Sequence, residues 1–169
     1  QQMLPFIRKM VTAIGDFHPG RAAGPLRTTS GAAVGVSICF ESIFPDIFLE
    51  EVRRGADLLA NLTNDAWFGR SAAPYQHLSM LAVRAVETRR WIVRAANTGI
   101  SAFIDPCGRI LAKTPLFQTD SIVDRVPRLQ VHSFYVAHGD VFAWASGLWT
   151  VGLIGLALAR GSRRENALP

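Results

Sequence analysis

The sequence predicts an α/β domain with a parallel sheet, followed by one helix that crosses a membrane. Two observations carry the first part. Residues 34–39 (VGVSIC) and 56–63 (ADLLANLT) are short apolar runs of strand character, and the segment between them, opened by Pro45 and Asp46, reads as a helix. Strand, helix and strand within about 30 residues make a βαβ unit, whose crossover leaves the two strands parallel. A third observation carries the rest: residues 141–159 (VFAWASGLWTVGLIGLALA) are 19 consecutive residues without a charge, 14 of them apolar.

Residues 1–33 open with a short apolar stretch and pass, from His18 to Gly31, into a Gly, Pro, Ala and Arg mixture without a period, which reads as a long surface loop. The run at 34–39 suits a strand buried on both faces. Pro45 at the start and Gly55 past the end bound a helix over 45–54. After the buried strand at 56–63, the segment NDAWFGRSAAP is a loop carrying two aromatics, Trp67 and Phe68. Leu78, Leu81, Ala82, Ala85 and Val86 then fall at i, i+3, i+4, i+7 and i+8, the stripe of a helix that lies on a sheet and ends near Arg89. WIVRA (91–95) is a further strand, 97–99 a turn, and ISAFID with RILAKT a hairpin closed by Pro106, Cys107 and Gly108. An edge strand is expected over 121–126, and 127–139 is a connector.

At 169 residues the chain has room for one modest domain. Its hydrophobic share of 49% is high for a soluble domain, and the excess sits in the tail, since none of the 18 basic and 13 acidic residues falls within 141–159. As a helix that stretch is about 28 Å long, close to the thickness of a bilayer's hydrocarbon core; a buried core helix is the alternative. Trp144 and Trp149 suit an interfacial belt, and Gly147, Gly152 and Gly155 are tolerated in membrane helices. Arg160, Arg163 and Arg164 follow the apolar stretch, which by the positive-inside rule puts the C-terminus in the cytoplasm and the domain before it, in a bacterium, in the periplasm. The expected division is a domain over 1–139, a transmembrane helix over 140–160 and a cytoplasmic tail over 161–169. No cleavable signal peptide is visible and the chain opens at Gln1, so it is expected to be the C-terminal piece of a longer protein.

The net charge of +5 comes from scattered arginines, which suits an anionic membrane surface and not a nucleic-acid groove. Cys39 and Cys107, one ending a strand and the other in an Asp-Pro-Cys-Gly turn, are expected to stay unpaired. His18, His77, His132 and His138 show no ligand spacing, so neither a metal nor a cofactor is expected. Arg84, Arg89, Arg90 and Arg94 read as a solvated or paired polar face.

Cys39 is the sharpest chemical candidate. It stands at the carboxyl end of a predicted central strand, where open α/β sheets gather ligands, and near a helix start that favours a thiolate. A small buried hydrophobe is the alternative. Glu41 needs a partner or a role so near a buried run; an ion pair with Arg53 or Arg54 is the plain option. Asn64 and Asp65 end the next strand on the same sheet edge, where turn and capping chemistry also explains them. Trp67 and Phe68 cannot both enter the core cheaply, so at least one lines a pocket or a lipid-facing surface.

These residues carry a resemblance. VGVSICFES, then LTNDAWFG about 20 residues later, then YQH, RAVETRRWIVRAANTGISAFIDPCG and a final apolar helix resemble the C-terminal part of the apolipoprotein N-acyltransferases. Those are membrane enzymes of the nitrilase superfamily with a carbon-nitrogen hydrolase domain. The combination of C-[FYW]-E with N-D-x-W-F-G and R-x-x-N-T-G-x-S is far more specific than any one of the three. The resemblance implies a nitrilase-like αββα sandwich and a Glu, Lys and Cys catalytic set, with Cys39 as nucleophile and Glu41 as the neighbouring glutamate. It makes Phe40 the aromatic whose backbone N–H helps form an oxyanion hole, with Asn64, Asp65, Trp67 and Phe68 on the substrate side. The implied reaction is ping-pong and needs no cofactor: Cys39 takes an acyl chain from a phospholipid as a thioester, and the α-amine of a diacylglyceryl-cysteine lipoprotein accepts it. A monomer in the bacterial inner membrane is implied.

The chain also departs from the family pattern. The general-base glutamate and the lysine belong upstream of the stretch matching Leu4, Pro5 and Phe6, and Lys9 and Lys113, the two lysines present, stand outside the family context. Ile7, Arg8 and Lys9 follow where a small residue and a glutamate are usual. The piece alone is therefore expected to be inactive. Competing readings are a membrane-anchored nitrilase-type amidohydrolase, which passes the acyl group to water, and a non-catalytic membrane-anchored remnant.

Overall fold

The computed structural model describes residues 24–165, with side chains as far as residue 157. Leu4, Pro5, Phe6 and Lys9, with the first part of the predicted N-terminal loop, lie outside the described residues, as does the end of the tail.

Six strands form one mixed sheet in chain order: β1 (Leu26–Arg27), β2 (Ala33–Ile38), β3 (Leu58–Asn64), β4 (Ile92–Asn97), β5 (Ala102–Ile104) and β6 (Ile110–Lys113). β2, β3 and β4 are parallel, and the remaining pairings are antiparallel. Helix α1 (Pro45–Arg53) connects β2 to β3 and α2 (Ala73–Thr88) connects β3 to β4. Because consecutive parallel strands are adjacent and such crossovers share one hand, both helices cover the same face. There Phe48, Leu49 and Val52 of α1 and Leu78, Leu81 and Ala85 of α2 meet Leu59, Ile92 and Ile104 in one buried cluster.

The strand expectations at 34–39, 56–63 and 91–95 hold to within a residue or two, as does the hairpin. Burial on both faces does not. The side of the strands that carries Gly35, Ser37, Leu59, Asn61, Ile92 and Arg94 is buried, whereas Ile38 and Leu62 on the opposite side are 52% and 47% exposed. No layer covers that face among the described residues, so what is seen is one sheet with helices on one side. β1 lies inside the stretch read as loop and pairs with the start of β2.

Two further expectations are corrected. Residues 121–126 form no strand; Asp120 and Asp124 accept the N–H groups of Ser121 and Arg125, so local side-chain bonds replace a ladder, and Val123 is 96% exposed. Within the predicted connector, Ser133 caps a short helix α3 (Phe134–His138) by accepting the N–H of Val136 at 3.0 Å, and the Val136 side chain is fully buried in the core. Arg53 donates to the carbonyl of Val136 at 2.8 Å and Arg90 donates to that of Val131, which straps the connector to the domain.

The apolar stretch at 141–159 is helical, within α4 (Val141–Glu165). Phe142, Trp144, Leu148, Trp149, Val151 and Leu156 all stand exposed along it. Among the described residues no helix is long and apolar enough to cross a membrane.

Candidate active site

The carboxyl ends of β2, β3 and β4 form one edge, and Cys39 stands on it as the first residue after β2. The thiol is free and half-buried. Its backbone is left-handed, with φ of 50°, a conformation that costs a non-glycine residue about 1–2 kcal/mol and persists only where neighbours enforce it. One contact braces the turn on the outer side. The chain turns at once into a 3-10 segment, Cys39–Ile43, and Glu41 reaches back so that its Oε2 accepts the N–H of Ile38 at 2.6 Å. Glu41 therefore has a backbone partner, in place of the ion pair with Arg53 or Arg54 weighed from sequence. Phe40 is 56% exposed and meets Phe44 edge to face at 6.1 Å.

Beneath the edge lies a polar row. Ser37 pairs with Asn61, and Asn61 with Arg94, across three parallel strands, and all three side chains point into the helix-covered side. Arg94 donates to Asn61 Oδ1 at 2.9 Å, which turns the Asn61 amide nitrogen toward Ser37 Oγ at 3.1 Å and the Cys39 carbonyl at 3.4 Å. A second Arg94 nitrogen donates to Asp65 Oδ2 at 2.7 Å, and its Nε donates to the Ile100 carbonyl at 3.1 Å. Burial pushes the Arg94 guanidinium below its ordinary range, and the charge and hydrogen bond of Asp65 pull it back.

Asp65, 1% exposed, is thus the anion of this row and not a group open to substrate. Its Oδ1 also accepts from Thr63 Oγ1 at 3.0 Å and lies 3.1 Å from His77 Nδ1. His77, buried on α2, carries its Nε2 to within 3.2 Å of the Cys39 carbonyl. Phe68 packs edge to face on that imidazole at 5.6 Å, so of the two loop aromatics Phe68 turns in and Trp67, 87% exposed, turns out. Asn64 accepts the N–H of Ala66 at 3.1 Å, which is turn chemistry. Gly99 passes so near that a Cβ on it would fall 2.8 Å from the Cβ of Asp65.

Cys39 and Asp65 are thus joined through His77, while Glu41, Phe40, Asn64 and Trp67 line the outer edge. His77, Asn61, Arg94 and Gly99 are site residues that the sequence reading did not single out. Of the two options for the arginines, solvated or paired, Arg94 takes the second, bound to Asp65 at 2.7 Å, while Arg90 is buried and donates to the Ala56 carbonyl at 2.8 Å. A cavity of about 280 Å³ opens beside the same edge, between Asn97 and Thr98 at the end of β4 and Phe117 and Asp120. Arg70 lies over the Phe117 ring at 5.0 Å. Among the described residues no three His, Cys, Asp or Glu side chains are grouped to hold a metal ion.

The carbon-nitrogen hydrolase family matches residues 7–134. Among similar proteins, the apolipoprotein N-acyltransferase of Geobacter metallireducens is 50% identical over 161 residues, which are 95% of this chain and 31% of that protein. The apolipoprotein N-acyltransferase of Azotobacter vinelandii is 38% identical over 92% of this chain and 29% of its own length. The chain spans less than a third of these relatives' length. Among solved structures, a carbon-nitrogen hydrolase from Helicobacter pylori G27 superposes with a TM-score of 0.51 at 16% identity, covering 58% of this chain and 41% of that one. Saccharomyces cerevisiae Nit3, of the nitrilase superfamily, superposes at 0.52 with 21% identity over 60% and 40%. These two likenesses concern the fold alone. With its mixed sheet, its cysteine at the carboxyl edge and a family match over most of its length, the chain belongs to the carbon-nitrogen hydrolase family.

Proposed function

We propose that this chain is the nucleophile-bearing part of an apolipoprotein N-acyltransferase. The Cys39 thiolate attacks the ester carbonyl of a phospholipid; the carbon–oxygen bond breaks, the lysophospholipid oxygen leaves and takes a proton, and the acyl chain stays as a thioester. The α-amine of a diacylglyceryl-cysteine lipoprotein then attacks the thioester, loses a proton, forms the amide and releases the thiolate. The observation that carries this reading is a half-buried free thiol at the carboxyl edge of parallel strands, in a chain 50% identical to a protein of that name. The phenylalanines on the edge suit acyl chains, since Phe40 and Phe44 are each at least half exposed.

The exposed apolar side chains of α4 support a helix held in lipid, since a helix apolar on every side belongs in a core or a membrane. On this reading α4 anchors a monomer in the bacterial inner membrane, with the thiol on the periplasmic side and Arg160, Arg163 and Arg164 in the cytoplasm. The general-base glutamate and the lysine come from an upstream part of a longer polypeptide, whose second sheet covers the open face at Ile38 and Leu62 and completes the αββα sandwich. The 169-residue piece alone is inactive.

The test is acceptor dependence in the full-length polypeptide. A thioester on Cys39 that forms from phospholipid and persists until a diacylglyceryl lipopeptide amine is added supports transfer. Equally fast loss of the thioester to water with no amine present turns the reading into an amidohydrolase, and full activity in Cys39→Ala turns it into a non-catalytic remnant.

A further inference from the structure

We infer that His77 is a positioning residue, an N–H donor that pins the Cys39 carbonyl and so fixes the backbone that carries the thiol at the sheet edge. The inference rests on Cys39 being the nucleophile, and on nothing about which acceptor takes the acyl group. A carbonyl oxygen only accepts, so the contact at 3.2 Å puts a hydrogen on His77 Nε2. The other ring nitrogen faces Asp65 Oδ1 at 3.1 Å and an Arg94 nitrogen at 3.0 Å. If Nδ1 is bare it accepts from Arg94; if it is protonated it donates to Asp65. Nε2 keeps its hydrogen in both cases, so the pin does not depend on the charge of the ring.

The pin has a specific task. Cys39 leaves β2 with a φ of 50°, its carbonyl lies within reach of the Asn61 and His77 side chains, and a carbonyl shut from water without a donor is costly. Asn61 supplies one donor at 3.4 Å, at the long end of hydrogen-bond range, and His77 supplies the better one. The ring is fixed in turn. Asp65 and Arg94 hold one edge, and Phe68 packs against the ring. A nucleophile's reactivity depends on its placement to well within 1 Å, which is what such a support controls.

The test uses the full-length polypeptide with His77→Leu and His77→Gln, since the Gln amide N–H can replace Nε2–H. Expected is a 10–100-fold loss of acylation kcat in His77→Leu with KM for phospholipid changed by less than about 2-fold. Alkylation of Cys39 by a small iodoacetamide probe slows in parallel, and His77→Gln recovers most of both rates. A His77→Leu variant that keeps parental kcat and alkylation rate overturns the inference, as does equal loss in both variants in step with lost thermal stability. Should neither variant fold, nitrogen NMR of labelled histidine in the parent decides: a hydrogen on Nε2 upholds the pin, and a bare Nε2 contradicts it. Full activity in Cys39→Ala would instead remove the reading on which the inference rests.

Discussion

Asp65 and Arg94 meet at 2.7 Å with both side chains shut off from solvent, one at the end of β3 and the other inside β4. The pair locks two parallel strands at the level of the thiol. Removing one charge leaves the other buried and uncompensated. Asp65→Asn is therefore expected to cost about 3–5 kcal/mol in equilibrium unfolding, and the double variant Asp65→Asn with Arg94→Met less than the single one.

Gly99 is required by space. A methyl group there would drive into Asp65, and Asp65 cannot yield without releasing Arg94 and His77. Gly99→Ala should cost about 1–3 kcal/mol and lower the acylation rate together with stability. Gly55→Ala gives the contrast: its φ of 96° strains an alanine, but among the described residues no atom beyond its chain neighbours lies within 4 Å of the added carbon. Its smaller loss of stability should leave the rate untouched, measured by thermal unfolding and single-turnover acylation.

The open sheet face makes a separate demand. Leu62 is 47% exposed among the described residues. If an upstream sheet covers it in the full-length polypeptide, Leu62→Asp buries a charge and should lower stability there by about 2–4 kcal/mol, against less than about 0.5 kcal/mol for a residue left in solvent. Urea unfolding of the parent and the variant separates the two.

Glu51 sits under β2 with a buried Oε2 that has no hydrogen-bond partner among the described residues. Burial raises its carboxyl above the ordinary 4.5, Arg54 opposes the rise and Glu50 adds to it. Below pH 4.5 the group is neutral folded or unfolded and costs nothing; as pH climbs through its raised folded value the penalty for ionising it in place becomes complete. Glu51→Gln should raise the thermal midpoint at pH 7–8, on the order of 2 °C, and the gain should vanish toward pH 4. Scanning fluorimetry across pH measures it.

The strands and helices were legible because each rests on a local pattern: a β-branched run for β2, a short leucine-rich run for β3, and an apolar stripe with 3.6 periodicity for α2. The thiol was legible too, since a cysteine at the end of a buried run has a definite place on a parallel sheet. The row beneath it was not. Arg94 and Asn61 are 33 residues apart in the chain and touch only because β3 and β4 pair in register. Each left a local trace all the same: Asn61 and Arg94 occupy inward positions of their strands, and His77 adjoins the apolar stripe of α2, where a polar residue must find a partner. The expected strand at 121–126 failed because β-branched residues alone do not make an edge when two aspartates bind the neighbouring N–H groups.

The most direct measurement is the mass of the peptide carrying Cys39 after the full-length polypeptide meets phospholipid without an amine acceptor. One acyl chain on Cys39, removed by hydroxylamine and passed to a diacylglyceryl lipopeptide when that is supplied, is the predicted result. An unmodified Cys39 in a preparation that nonetheless acylates the lipopeptide would contradict the account.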